Sequence, residues 1–143
     1  MNHIKNLRPF HLAFPVLDLE EARDFYMNTL GCSIGRESDQ WIDFNLYGHQ
    51  IVAHLSLNEI KDVNRSQVDG DAVPVRHFGV ILENNEWQKL VDRLKTKGED
   101  FLIEPRVRFE GKSGEQRTLF ILDPSGNALE FKSFAHDGHI FRR

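Results

Sequence analysis

Three histidines and one glutamate, His11, His54, His77 and Glu130, stand in stretches that alternate like β-strands. Neutral imidazole nitrogen and carboxylate oxygen are the ordinary donors for a divalent cation. "HLAFPV" (11–16) and "HFGVIL" (77–82) each open on a histidine followed by alternating residues, "IVAHLSL" (51–57) carries His54, and "ALEF" (128–131) carries Glu130. Cys32 is the only cysteine, so no disulfide can form within the chain and a metal site must use His and carboxylate groups. As a residue, Cys32 reads as a small buried apolar side chain with nothing nearby to activate a thiolate.

Strand parity decides which of these side chains meet. In the first stretch Leu12, Phe14 and Val16 share a face that packs under a helix, and His11, Ala13 and Pro15 point the other way. In the second, Phe78, Val80 and Leu82 pack while His77, Gly79 and Ile81 face away. Ala13 and Gly79 leave room beside each imidazole. Glu130 lies opposite Leu129 and Phe131, and His54 opposite Ala53 and Leu55. The parity therefore directs His11, His54, His77 and Glu130 at helix-free faces, as candidate ligands for one divalent metal. His49, beside a turn, has the opposite parity to His54 and is a candidate outer partner; His3, His136 and His139 lie in the termini without such placement.

The elements that must position these groups come in two matching sets. "DLEEARDFYMNTLG" predicts a helix with Asp18 as N-cap, Glu21 completing a capping box and Gly31 as its stop. "WIDFNLYGHQIVAHLSL" predicts a strand pair joined near Tyr47–Gly48. In the second set "NNEWQKLVDRLKTKG" predicts a helix capped by Asn85, with Trp87, Leu90, Val91 and Leu94 as its apolar face and Gly98 as its stop. "TLFILDPSGNALEFKSF" predicts a hairpin turning at Asp123-Pro124-Ser125-Gly126. Residues 1–143 thus read as one domain of two modules, 9–57 and 75–134. The linker is 58–74, "NEIKDVNRSQVDGDAVP" with its preceding residue pattern polar and Gly/Pro-punctuated, and the tail is 135–143.

Totals narrow the class. A chain of 143 residues buries about 70% of its unfolded surface, enough for independent stability. Its net charge of −4 offers no basic footprint for nucleic acid and no attraction to an anionic membrane. No stretch reads as a signal peptide or a membrane span, which points to a cytoplasmic protein. The segment "EPRVRFEGKSGEQR" (104–117) predicts a lid in which Arg106 and Arg108 meet an anionic substrate, or else a charged surface loop. Trp41, Phe44 and Phe120 are either pocket walls or core.

With "FHLAFPVLDLEEARDFYMNTLGC", "HFGVIL" and "LDPSGNALEF" in view, residues 9–134 resemble the vicinal-oxygen-chelate superfamily of glyoxalases, extradiol dioxygenases and bleomycin-resistance proteins. The resemblance implies an α+β fold of two tandem βαβββ modules forming an incomplete, metal-centred β-barrel. It implies a small-molecule substrate, a homodimer, and one divalent metal (Fe, Mn, Ni or Zn) held at His11, His54, His77 and Glu130. Catalytic work would fall to Glu130 and His54. His54 departs from the glutamate that glyoxalase I normally has there, while His11, His77 and Glu130 are similar to the two-His-one-carboxylate triad of Fe(II) dioxygenases. The expected function is Lewis-acid catalysis on vicinal oxygens by a lyase, isomerase or dioxygenase. The alternatives are metal-free antibiotic sequestration of the bleomycin-resistance type and thiol transfer to an epoxide.

Overall fold

The computed structural model describes residues 7–59, 65–68 and 71–143. The chain divides into two units, Met1–Lys61 with Pro124–Gly126, and Asp62–Asp123 with Asn127–Arg143.

The first unit is a four-stranded sheet with one helix. Its strands are β1 (His11–Val16), β2 (Ser33–Glu37), β3 (Trp41–Leu46) and β4 (His49–Leu55), ordered β1-β4-β3-β2. β1 runs parallel to β4, and the other neighbours are antiparallel. The capping signal is realised: α1 (Leu19–Asp24) starts where the Asp18 carboxylate accepts from the Glu21 amide at 2.9 Å. The helix does not run on regularly to Gly31, because Phe25–Thr29 form a π-helical turn, and Gly31 then ends it at φ 80°. That wider turn buries Phe25 and Tyr26 together; Tyr26 meets Phe14 at 5.4 Å and stacks on Phe44 at 5.0 Å. Phe44 is therefore core on the helix side. Arg23 on α1 forks onto Glu37 of β2 at 2.7 and 3.2 Å, a hydrogen-bonded pairing that holds the Glu37 carboxyl below its ordinary range. The β3–β4 hairpin turns at Tyr47 and Gly48, both at positive φ, as a two-residue loop requires.

The second unit repeats the strand order. β7 (His77–Phe78), β8 (Ile103–Arg108), β9 (Gln116–Leu122) and β10 (Ala128–Phe134) stand as β7-β10-β9-β8, with β7 parallel to β10. α2 (Asn84–Thr96) buries Trp87, Leu90, Val91 and Leu94, the expected stripe, and the Trp87 indole donates to the Phe131 carbonyl at 2.9 Å. Its N-cap is Glu83 rather than Asn85; Asn85 lies inside the first turn and accepts from the next amide, Glu86, at 2.9 Å. The β9–β10 turn forms as predicted, with Asp123 accepting from both the backbone and side-chain nitrogens of Asn127.

Two expectations need correction. Part of the 58–74 linker is a hairpin of β5 (Arg65–Val68) and β6 (Asp71–Pro74), whose Val73 is buried with Ile103 and Phe120. Its alternation was masked by polar residues and punctuation. The 104–117 segment is not a lid throughout, since Ile103–Arg108 is a strand paired antiparallel with β9. Only 109–115 is a connecting turn. No helix among the described residues is long and apolar enough to cross a membrane.

Candidate metal centre

In the second unit, cross-strand register builds the site on the face away from α2. Opposed residues on a sheet share a face. His77 lies opposite Ala128, Glu130 opposite Phe120, Lys132 opposite Thr118, and Arg106 opposite Thr118 from the other side. His77, Glu130, Thr118, Lys132 and Arg106 thus occupy one face, with Arg108 two residues further along it.

His77 is held by both ends of its ring. Nδ1 lies 2.8 Å from the Pro74 carbonyl oxygen, and a carbonyl can only accept, so Nδ1 carries a proton. Nε2 lies 3.2 Å from Glu130 Oε2. The ring edge also packs on Phe120 at 5.1 Å. Glu130 is only 9% exposed, and its other oxygen is fully engaged: Thr118 Oγ1 donates to Oε1 at 2.8 Å and Lys132 Nζ lies 3.6 Å away. His77 Nε2 therefore faces a carboxylate oxygen that has no other donor among the described residues.

Two lone pairs facing each other need a proton or a cation between them. Donors about 2.1 Å from one ion, and about 90–110° apart at it, are about 3.0–3.4 Å from each other. The 3.2 Å separation falls inside that window. The carbonyl behind Nδ1 and the hydroxyl behind Oε1 are the outer partners that normally fix a ligand's tautomer and orientation. These residues fit a divalent metal.

Gly79 makes this arrangement possible for a reason other than room beside the imidazole. It passes so close to β10 that a Cβ on it would fall 1.6 Å from the Glu130 carbonyl oxygen. β7 accordingly covers only His77–Phe78, with a single further bridge from Ile81 to Lys132, instead of the longer strand the alternation predicts.

The first unit is built differently. His11 lies opposite Gln50, and its Nδ1 meets Gln50 Oε1 at 2.8 Å. His54 lies opposite Pro15 on β1 and Trp41 on β3. His11 and His54 share a face, but four register steps on parallel strands separate them by about 13 Å. His11 and His54 thus stand in different rows of that face, and the side chain beside His11 is the amide of Gln50. His49 turns out to anchor backbone, accepting from the Phe10 amide at 2.9 Å. Among the described residues, no three His, Cys, Asp or Glu side chains gather into one cluster of metal-binding spacing. The close pair is His77–Glu130.

Arg106 and Arg108 lie on the Glu130 face of β8, each with its Nε buried, so they belong to a strand rather than a mobile lid. The Arg108 guanidinium lies 4.9 Å over the Phe109 ring. Phe120 does line the site face. Sequence reading missed Gln50, Thr118 and Pro74. Parity alone would have placed Thr118 on the face of Phe120 and Gln50 on that of His54; the Pro74 carbonyl leaves no sequence signal.

Comparison with known proteins agrees with this fold. A structure from Alicyclobacillus acidocaldarius, described as a glyoxalase/bleomycin resistance protein/dioxygenase, is 35% identical and matches with a TM-score of 0.80 over 98% of this chain and 100% of that one. The metallothiol transferase FosB of Staphylococcus saprophyticus is 27% identical over 84% of this chain and 72% of its own length. A lactoylglutathione lyase structure from Agrobacterium tumefaciens shares the fold, at 17% identity and a TM-score of 0.63 over 87% of this chain and 91% of that one. With the family model matching residues 8–131, the chain belongs to the glyoxalase/bleomycin resistance protein/dioxygenase superfamily.

Proposed function

We propose that this chain is a divalent-metal-dependent enzyme acting on a small substrate with neighbouring oxygens, with His77 and Glu130 as metal ligands. The observation that carries the reading is His77 Nε2 held 3.2 Å from Glu130 Oε2 by partners on the far side of each group, a spacing that suits two ligands of one ion. A bound Fe, Mn, Ni or Zn would supply Lewis-acid stabilisation of oxyanion charge.

The chain's own residues do the rest. Pro74 and Thr118 keep His77 and Glu130 oriented before metal arrives, so little reorganisation is needed on binding. Lys132 holds positive charge against Glu130 Oε1, and Arg106 on the same face is the candidate to receive an anionic substrate group, with Arg108 beside it. In this reading the protein acts as a homodimer in the cytoplasm.

For the reaction, the similarity to a metallothiol transferase favours transfer of a thiol to an epoxide. Isomerase or lyase chemistry on a hemithioacetal, and ring cleavage of a catechol, are the other two classes. One experiment separates them. Protein purified without a His-tag is assayed for bound metal, reconstituted with Mn, Fe, Ni and Zn in turn, and given three substrate sets. The sets are fosfomycin with a thiol, methylglyoxal with glutathione, and catechol with oxygen. Loss of thiol only when fosfomycin is present assigns thiol transfer. No metal uptake in any case overturns the enzyme reading.

A further inference from the structure

The first unit contains a buried carboxylate that the metal reading does not use. Asp43 sits in the middle of β3, opposite Val52, and is 8% exposed. Among the described residues it has no hydrogen-bond or ion-pair partner. Its carboxylate oxygens are open to a cleft rather than sealed in the interior, so they are placed to accept from a ligand.

Its surroundings say what it awaits. Asp43 lines a cleft of about 560 Å³ on the helix-free face, together with Ser33, Asn45, Gln50 and His11. Most acceptors there are occupied: Asn45 Oδ1 takes the Gly48 amide and Gln50 Oε1 meets His11 Nδ1. The Asp43 oxygens are the acceptors left over. Gly35 on β2 leaves the carboxylate uncovered, since a Cβ there would lie 3.2 Å from Asp43 Cβ. A cation bound by a ring of protein ligands does not suit the place, because no three His, Cys, Asp or Glu side chains converge among the described residues.

We propose that this cleft takes a ligand bearing a hydrogen-bond donor, a primary ammonium or hydroxyl group, and that Asp43 receives it. Pro9, Phe10 and Ile34 supply apolar wall for the carbon chain of such a ligand. Asp43 then sets specificity: it accepts donors and repels anions.

The test uses three probes of one chain length, butylammonium, 1-butanol and butyrate, titrated into the full-length ¹⁵N-labelled protein with no metal added. Shifts of the amides at 33–35, 43–45 and 48–50 on adding butylammonium or butanol, and none with butyrate, are expected; which of the two binds tighter identifies the donor. Asp43→Asn is expected to weaken the favoured probe at least tenfold without lowering Tm, since no hydrogen bond or ion pair among the described residues depends on that carboxylate. Butyrate binding as well as the others, an unchanged affinity in Asp43→Asn, or no shift with any probe would each overturn the proposal. So would a lower Tm for Asp43→Asn, which would make the residue structural. The probes lack neighbouring oxygens, so failure here leaves the metal reading standing, and failure of that reading leaves this one.

Discussion

The two units have the same strand order and place a histidine at the head of their first strand, yet they put their acids on different strands. Counting rows across each sheet from the histidine, the next row on the same face reads Ala13–Val52–Asp43 in the first unit. In the second, Gly79 packs against Glu130, which lies opposite Phe120. A small residue comes first in both. The acid then stands on the neighbouring strand in one unit and two strands away in the other. On the neighbouring strand, Glu130 reaches the imidazole at 3.2 Å. Two strands away, Asp43 leaves His11 to pair with the amide of Gln50. Internal repetition copies backbone and register; the chemistry depends on which strand of the row carries the charge.

That contrast can be broken most severely at Glu130. Glu130→Ala should reduce metal affinity by more than the roughly 10–100-fold that loss of an outer partner costs, read by calorimetric titration. Close behind is Gly79→Ala. Its Cβ meets backbone, not a yielding side chain, so the strands must part. A stability loss at the upper end of the about 1–3 kcal/mol typical of overpacking is expected, visible in denaturant melts. Ala13→Gly, at the matching place in the first unit, should cost less.

Smaller effects sharpen the comparison. Thr118→Val removes the hydroxyl that fixes Glu130 Oε1 and should weaken metal binding about tenfold, with Thr118→Ser restoring it. Gln50→Ala should change metal affinity less than Thr118→Val does, because Gln50 meets His11 and not Glu130. Least of all, His54→Gln should leave affinity unchanged, since His54 stands beside Trp41 and Pro15.

Much of this was legible in the residues. Alternation and apolar periodicity gave both helices, both hairpins and the faces on which His11, His77 and Glu130 lie, and the Asp18 cap gave the start of the first helix. The Tyr47–Gly48 turn even fixes the β3–β4 register, so Asp43 opposite Val52 could have been read from it. What could not be read is the offset between strands far apart in sequence. Parity is blind to sliding by two residues, so it could not tell that His11 lies opposite Gln50 and Pro15 opposite His54. Nor does a sequence announce that a carbonyl at Pro74 holds a ring three residues on. The small hairpin before β7 was hidden because its residues are those of a linker.

The central claim is that His77 and Glu130 bind one metal while His54 does not. Calorimetric titration of Zn²⁺ into wild type, Glu130→Ala and His54→Gln, all without a His-tag, tests it directly. Stoichiometric binding in wild type and His54→Gln, with its loss in Glu130→Ala, is the predicted result. Equal binding in all three proteins, or loss only in His54→Gln, would contradict it.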